Sequence, residues 1–216
     1  VNDYSIIFYD LDETLYPASS GVWEAIAVRI NAYMRDRLAL SEAEIPEIRH
    51  GLYLEYGTTM RGLEALYGID SQDYLQYVHD IPLHELITPD QRLRQLIASY
   101  PQRRIILTNA DVPHAQRVLR VLDLEGCFEQ IIDVVAVSPY CKPQPEAFLR
   151  ALEIAGEPDP SRCILIDDKP KNLASARQLG FYTILVGQNG DNPDSYHRSV
   201  QTISELASVL DPLLAR

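Results

Sequence analysis

"SIIFYDLDETLYP", residues 5–17, sets an apolar run of strand length against two aspartates, Asp10 and Asp12, one residue apart. In extended backbone, residues two apart point to the same side. Beyond a strand tip both carboxylates could therefore converge on one small volume. Aspartate is also common in turns that close a strand, so the pair alone leaves both readings open. The sequence on either side decides between them.

Runs like the first recur at "RIILT" (104–108), "IIDVVAV" (131–137), "CILID" (163–167) and "TILV" (183–186). Most are continuous in Ile, Leu and Val, which suits strands of a parallel sheet covered on both faces. Helical spacing separates them. Ala115, Val118, Leu119 and Leu122 form one such stripe, and Ile203, Leu206, Ala207 and Leu210 another. From residue 88 onward strand and helix alternate, the α/β pattern. Residues 17–87 break it, with "VWEAIAVRINAYMRDRLAL", "SEAEIPEIRHGLYLEYG", "TTMRGLEALYG" and "SQDYLQYVH" all reading as helix. Ser41 and Glu44 suggest a capping box, and Gly57, Gly68 and Pro82 punctuate the turns. The expectation is a doubly wound, Rossmann-like parallel sheet built from residues 1–16 and 88–216, with an all-helical cap inserted at 17–87. An insertion leaving the C-terminal tip of the first strand sits over the edge where such sheets bind ligands.

Composition narrows the partners. The chain has 216 residues and a formal net charge of −12, from 31 acidic against 19 basic side chains. No basic run relieves that balance, which argues against nucleic acid. No stretch reaches membrane-span length, and the N-terminal apolar run is too short for a signal peptide. Cys127, Cys141 and Cys163 are scattered without metal-type spacing, so free thiols in a reducing cytoplasm are the simplest account.

Three further constellations follow strand-like runs. Thr108 and Asn109 in "LTNAD" could donate to phosphate oxygens or simply form a turn. Lys142 in "YCKPQPEAF" is either a solvated lysine or a cation brought into a site. Asp167 and Asp168 in "ILIDDKPKN" are adjacent acids at a strand end, where their repulsion suggests a cation between them.

In order, these read Asp-x-Asp, Thr-Asn, Lys-Pro and Asp-Asp, with a helical insertion after the first. That order resembles the haloacid dehalogenase-like (HAD) superfamily of aspartate-nucleophile phosphohydrolases over essentially the whole chain. The resemblance implies a Mg²⁺-dependent phosphatase acting on small phosphate monoesters. It makes Asp10 the nucleophile that forms an aspartyl-phosphate, and Asp12 the acid and then base. Thr108 and neighbouring amides would hold the non-bridging oxygens, and Lys142 would touch nucleophile and phosphate. Asp10, Asp168 and the Asp12 carbonyl would hold the metal, with Asp167 a more distant or water-mediated partner and Asn172 orienting the loop. Anionic surroundings are expected to raise the Asp12 pKa. One departure stands out: Lys169-Pro170 follows the acid pair where many relatives carry a small hydroxyl residue.

"DETLYP", "YGTTMRGL" (56–63), "YVHDIPL" (77–83) and "TNADVPHAQRVL" (108–119) resemble the pyrimidine 5′-nucleotidase branch. On that resemblance Arg61 and His79 are candidate substrate contacts; as plain residues they read as a surface arginine and a packed interhelical histidine. Tyr53, Tyr56 and Tyr67 could stack on a base or pack in the core. His114 is expected on the surface of the helix after the second strand. The alternatives are a phosphatase for a sugar phosphate or similar metabolite, and a non-catalytic protein of the same fold. Monomer and homodimer are both open.

Overall fold

In the computed structural model, residues 3–187 and 193–215 are described. Strand β1 (Ile6–Tyr9) runs into the acid pair and then into five helices: α1 (Val22–Leu38), α2 (Ile45–Tyr56), α3 (Thr59–Tyr67), α4 (Ser71–Val78) and the short α5 (Leu83–Leu86). After α6 (Gln91–Ser99) come β2 (Arg103–Leu107), α7 (Val112–Val121), β3 (Gln130–Ile132), α8 (Pro145–Ala155), β4 (Cys163–Asp167), α9 (Pro170–Leu179), β5 (Tyr182–Val186), β6 (Arg198–Val200) and α10 (Ala207–Leu214).

The six strands of the described residues are parallel and ordered β3-β2-β1-β4-β5-β6. The order reverses beside β1, so a crevice opens between the C-terminal ends of β1 and β4. Alternation within each strand explains the unbroken apolar runs. Ile7, Tyr9, Ile106, Ile164, Ile166 and Ile184 face one layer; Ile6, Phe8, Ile105, Leu107 and Leu165 face the other. The second layer is closed by Phe148, Ala151 and Leu152 of α8 and by Leu173 and Ala176 of α9. The first is continuous with the buried faces of the inserted helices, through Ile26, Ile30, Leu63 and Leu75 among others. Among the described residues, no helix is long and apolar enough to cross a membrane.

Two expectations are corrected. The run 131–137 is strand only as far as Ile132, because Asp133 ends it. Its Oδ1 accepts from Ala136 N at 2.8 Å and its Oδ2 from Val112 N at 3.0 Å, so one carboxylate closes a turn and caps α7. Strand β6 was not foreseen: "RSV" is three residues long, only Val200 is buried, and an edge strand with one packed side chain leaves almost no apolar signal.

Candidate active site

β1 delivers Asp10 to the sheet edge, buried to 7% exposure. Glu13 adopts a left-handed backbone (φ 62°), bending the chain back so that Thr14 Oγ1 donates to Asp10 Oδ2 at 2.9 Å. Asp10 Oδ1 accepts from Lys142 Nζ at 2.7 Å. Lys142 is 2% exposed and spends its other donors on the Leu107 carbonyl at 2.7 Å and Asp167 Oδ2 at 2.8 Å. It is therefore a fully committed interior cation and not a solvated lysine.

Asp167 is completely buried and saturated by protein. Besides Lys142 it accepts from Lys169 N at 2.8 Å and from Asn172 Nδ2, 3.0 Å from each oxygen. This settles how the departing Lys169-Pro170 step is accommodated: Pro170 opens α9, where its missing N–H costs nothing, and Asp167 takes the Lys169 amide. Asp168 is different. Its Oδ2 forms a 2.7 Å ion pair with the half-exposed Lys169 Nζ, yet the angles give that buried oxygen no hydrogen bond.

Oxygens of Asp10, Asp167 and Asp168 all lie within 4.8 Å of one another. Burial, then the flanking carboxylates, pushes Asp168 up to about 8. Burial likewise raises Asp10, to about 6, against the opposing pull of Lys142. Three interior carboxylates facing one buried lysine, with the half-exposed Lys169 shared between Asp168 and Glu13, are short of positive charge, and their all-oxygen donor set fits a hard divalent cation. The Asp12 carboxylate is not part of that cluster.

Asp12 turns the other way. Its Oδ1 accepts from Tyr16 Oη at 2.6 Å and lies 2.9 Å from His114 Nε2. Burial alone would raise its pKa, but His114 and Tyr16 outweigh burial and hold it down at about 2. The expected upward shift is thus reversed, because sequence spacing showed neighbouring acids and not the donors that fold onto them. His114 itself is 1% exposed and not on the helix surface. Its ring stacks on His79 with centroids 4.1 Å apart, and His79 Nδ1 lies 2.8 Å from Asp111 Oδ1.

The remaining candidates divide. Thr108 lies at the tip of β2, 2% exposed, with Oγ1 accepting from Ala110 N at 3.0 Å. Asn109 spends its amide on the Lys142 main chain and not on an open phosphate position. Arg61 is neither on the surface nor at the cavity: it pairs with Glu64 at 2.7 Å and donates to the Val134 and Tyr140 carbonyls at 2.6 and 3.2 Å. Thr14, Tyr16 and His114 were missed as site residues. Thr14 and Tyr16 sit four residues beyond Asp10 and Asp12, a spacing that could have flagged them.

A cavity of about 480 Å³ joins these groups to the inserted helices. Asp10, Asp12, Thr108, Lys142 and Asp168 line its floor; Trp23, Ile26, Tyr53, Met60 and Val78 line its walls. His79 borders it, whereas Tyr56 and Tyr67 do not.

Comparisons with known proteins bear on the family and the fold. A family model for haloacid dehalogenase-like hydrolases matches residues 4–180. Phosphate metabolism protein 8 of Saccharomyces cerevisiae is 28% identical over 191 residues, covering 81% of this chain; the chain spans only 59% of that relative's length. Among solved structures, the magnesium-bound HAD-hydrolase YfnB of Bacillus subtilis superposes with a TM-score of 0.65 at 19% identity, covering 96% of this chain and 99% of its own. L-2-haloacid dehalogenase of Xanthobacter autotrophicus gives 0.62 at 15% identity, covering 96% and 98%. At such identities the structures share the fold, and the fold alone does not choose between dehalogenation and phosphoryl transfer.

Proposed function

We propose that this chain, which belongs to the haloacid dehalogenase-like hydrolases, is a Mg²⁺-dependent phosphatase of small phosphate monoesters, with a pyrimidine nucleoside 5′-monophosphate as its preferred substrate. The observation that carries the phosphatase reading is the division of labour at one sheet edge. Asp10 is bound to Lys142 inside a three-carboxylate cluster, while Asp12 stands apart with an oxygen free of protein donors. The name of the yeast relative, a phosphate metabolism protein, supports the same chemistry.

A phosphate monoester dianion and a carboxylate repel by roughly 4 kcal/mol per charge pair at about 4 Å and an effective dielectric near 20. Mg²⁺ held by Asp10, Asp168 and the Asp12 carbonyl would supply charge neutralisation. Lys142 adds a fixed positive charge at Asp10, and the Thr108 hydroxyl with the Asn109 main-chain amide receives the non-bridging oxygens. Asp10 attacks phosphorus; Asp12, ionised in the resting protein, takes up a proton once the anionic phosphate sits beside it, gives that proton to the departing oxygen, and later takes one from the water that splits the aspartyl-phosphate. Asp167 acts mainly by clamping Lys142 and the 167–172 turn. A dehalogenase has no use for an acid at Asp12, which disfavours that reading.

The inserted helices, residues 17–87, serve as a cap that selects the leaving group. A cavity of about 480 Å³ walled by Trp23 and Tyr53 has the size and aromatic surface to take a nucleoside. The likeness of "YGTTMRGL" and "YVHDIPL" to pyrimidine 5′-nucleotidases supports the base preference. Phosphate release from a panel of phosphorylated metabolites tests it. UMP and CMP should be turned over best with Mg²⁺, and Asp10→Asn should abolish turnover while leaving the protein folded. Equal rates on sugar phosphates would remove the nucleotidase assignment; no hydrolysis of any monoester would remove the phosphatase.

A further inference from the structure

We infer that His114 is a positioning residue for Asp12, fixing which of its two oxygens carries the catalytic proton. The inference rests on Asp12 being the acid and base of the phosphatase proposed above. Both protein donors to the Asp12 carboxylate converge on the same atom: Tyr16 Oη at 2.6 Å and His114 Nε2 at 2.9 Å both meet Oδ1. An oxygen that accepts two hydrogen bonds has no lone pair directed at a third partner in that plane. Oδ2 alone is left to hold a proton, and Asp12 borders the cavity where a leaving group would lie.

The tautomer follows from the partners. A carboxylate oxygen only accepts, so His114 presents a hydrogen on Nε2, while its buried Nδ1 meets no hydrogen-bond partner. A fully buried imidazole that leaves one nitrogen unsatisfied is an unfavourable choice for simple packing, where leucine would serve.

The ring is braced from behind. His79 stacks on it at an interplanar angle of 22°, and Asp111 Oδ1 takes both His79 Nδ1 at 2.8 Å and the His114 amide at 3.2 Å. Arg117 donates to the His79 and Ile81 carbonyls at 2.7 and 2.6 Å, so one face of α7 grips the end of α4 and sets the plane of the stack. In the first half-reaction the Asp10–phosphorus bond forms, the bond from phosphorus to the leaving oxygen breaks, and the Oδ2 proton moves to that oxygen. In the second, water oxygen bonds to phosphorus, the Asp10–phosphorus bond breaks, and a water proton returns to Oδ2. His114 exchanges no proton in either step; it holds the carboxylate.

The test compares kcat/KM, which reports expulsion of the leaving group, for p-nitrophenyl phosphate and phenyl phosphate with Mg²⁺. Nitrophenolate leaves without a proton, whereas phenolate, near tyrosine in basicity, depends on one. His114→Leu should lose roughly tenfold more on phenyl phosphate than on p-nitrophenyl phosphate. His114→Gln, which keeps an N–H donor at similar reach, should recover most of that difference, and Tyr16→Phe should show the same asymmetry on a smaller scale. Equal losses on both substrates, or Gln no better than Leu in a folded protein, would overturn the inference. If His114→Leu does not fold, the Gln and Tyr16→Phe variants carry the comparison. Wild-type inactivity on both substrates would instead sink the phosphatase reading, and this role with it.

Discussion

Asn109 and Lys142 exchange two hydrogen bonds: the Asn109 Nδ2 donates to the Lys142 carbonyl at 2.8 Å, and the Lys142 N–H donates to Asn109 Oδ1 at 2.9 Å. The amide following β2 thus sets the backbone from which Lys142 reaches Asp10. Asn109→Asp replaces the donor with an oxygen facing a carbonyl. We expect a stability loss of about 1–3 kcal/mol by urea unfolding. We also expect kcat/KM to fall roughly 10²-fold as the ammonium drifts from the nucleophile. Wild-type turnover in this variant would show that Lys142 is positioned by Leu107 and Asp167 alone.

The carboxylate cluster predicts a thermal response to divalent cations. A cation binding only the folded protein adds about 2.7 kcal/mol at 100 times its dissociation constant. Mg²⁺ should therefore raise the melting temperature, and a chelator should reverse the rise. Asp168→Asn should abolish the response, since Asp168, unlike Asp10 and Asp167, is not held by the buried Lys142. An identical Mg²⁺ shift in that variant would place the cation elsewhere.

Which of these features the sequence made legible follows from how local their signals are. Asp10, Thr108 and Asp167 end strands whose unbroken apolar runs fix them at the same sheet edge, so their convergence could be read from order alone. The helical insertion was equally plain, from its periodicity. What escaped was partnership between elements. His114 lies in an ordinary amphipathic stripe, and only the close approach of α7 to the β1 exit turns it onto Asp12. Arg61 read as either an exposed side chain or a substrate contact, because nothing in its own helix reveals the two carbonyls waiting beyond β3.

Arg61 should accordingly matter for stability and not for substrate affinity. Arg61→Met keeps much of the apolar stem but leaves the Val134 carbonyl, together with Glu64, short of its donor. The expected cost is about 2–4 kcal/mol in chemical denaturation. KM for UMP should stay within roughly threefold of wild type, less than the 1.4 kcal/mol of a tenfold change. A large KM increase without loss of stability would restore Arg61 as a substrate contact.

Gly57 makes a steric prediction at the same boundary. It ends α2 at φ 84°, and a Cβ there would stand 2.9 Å from Cys141 Sγ and 3.5 Å from the Lys142 carbonyl. Gly57→Ala combines a strained left-handed backbone with a clash, so a loss of about 1–3 kcal/mol is expected. The displaced neighbour is the segment carrying Lys142, so kcat should fall as well. Unchanged stability and turnover would mean that α2 can withdraw from the 141–143 segment freely.

His79 gives the fold a defined pH dependence. Burial holds its pKa below the usual histidine value, although Asp111 pulls the other way. The unfolded chain therefore takes up a proton near pH 6.5 that the folded chain refuses. In that window the unfolded state binds more protons, so the His79 contribution is complete above the unfolded pKa and is lost as pH falls through it toward the folded value. His79→Gln removes the titration. Denaturation of both proteins between about pH 7.5 and about pH 5 should show the wild-type advantage shrinking as pH drops. A wild-type advantage that grows toward acid would mean that His79 is charged in the folded protein, with the ion pair to Asp111 outweighing burial.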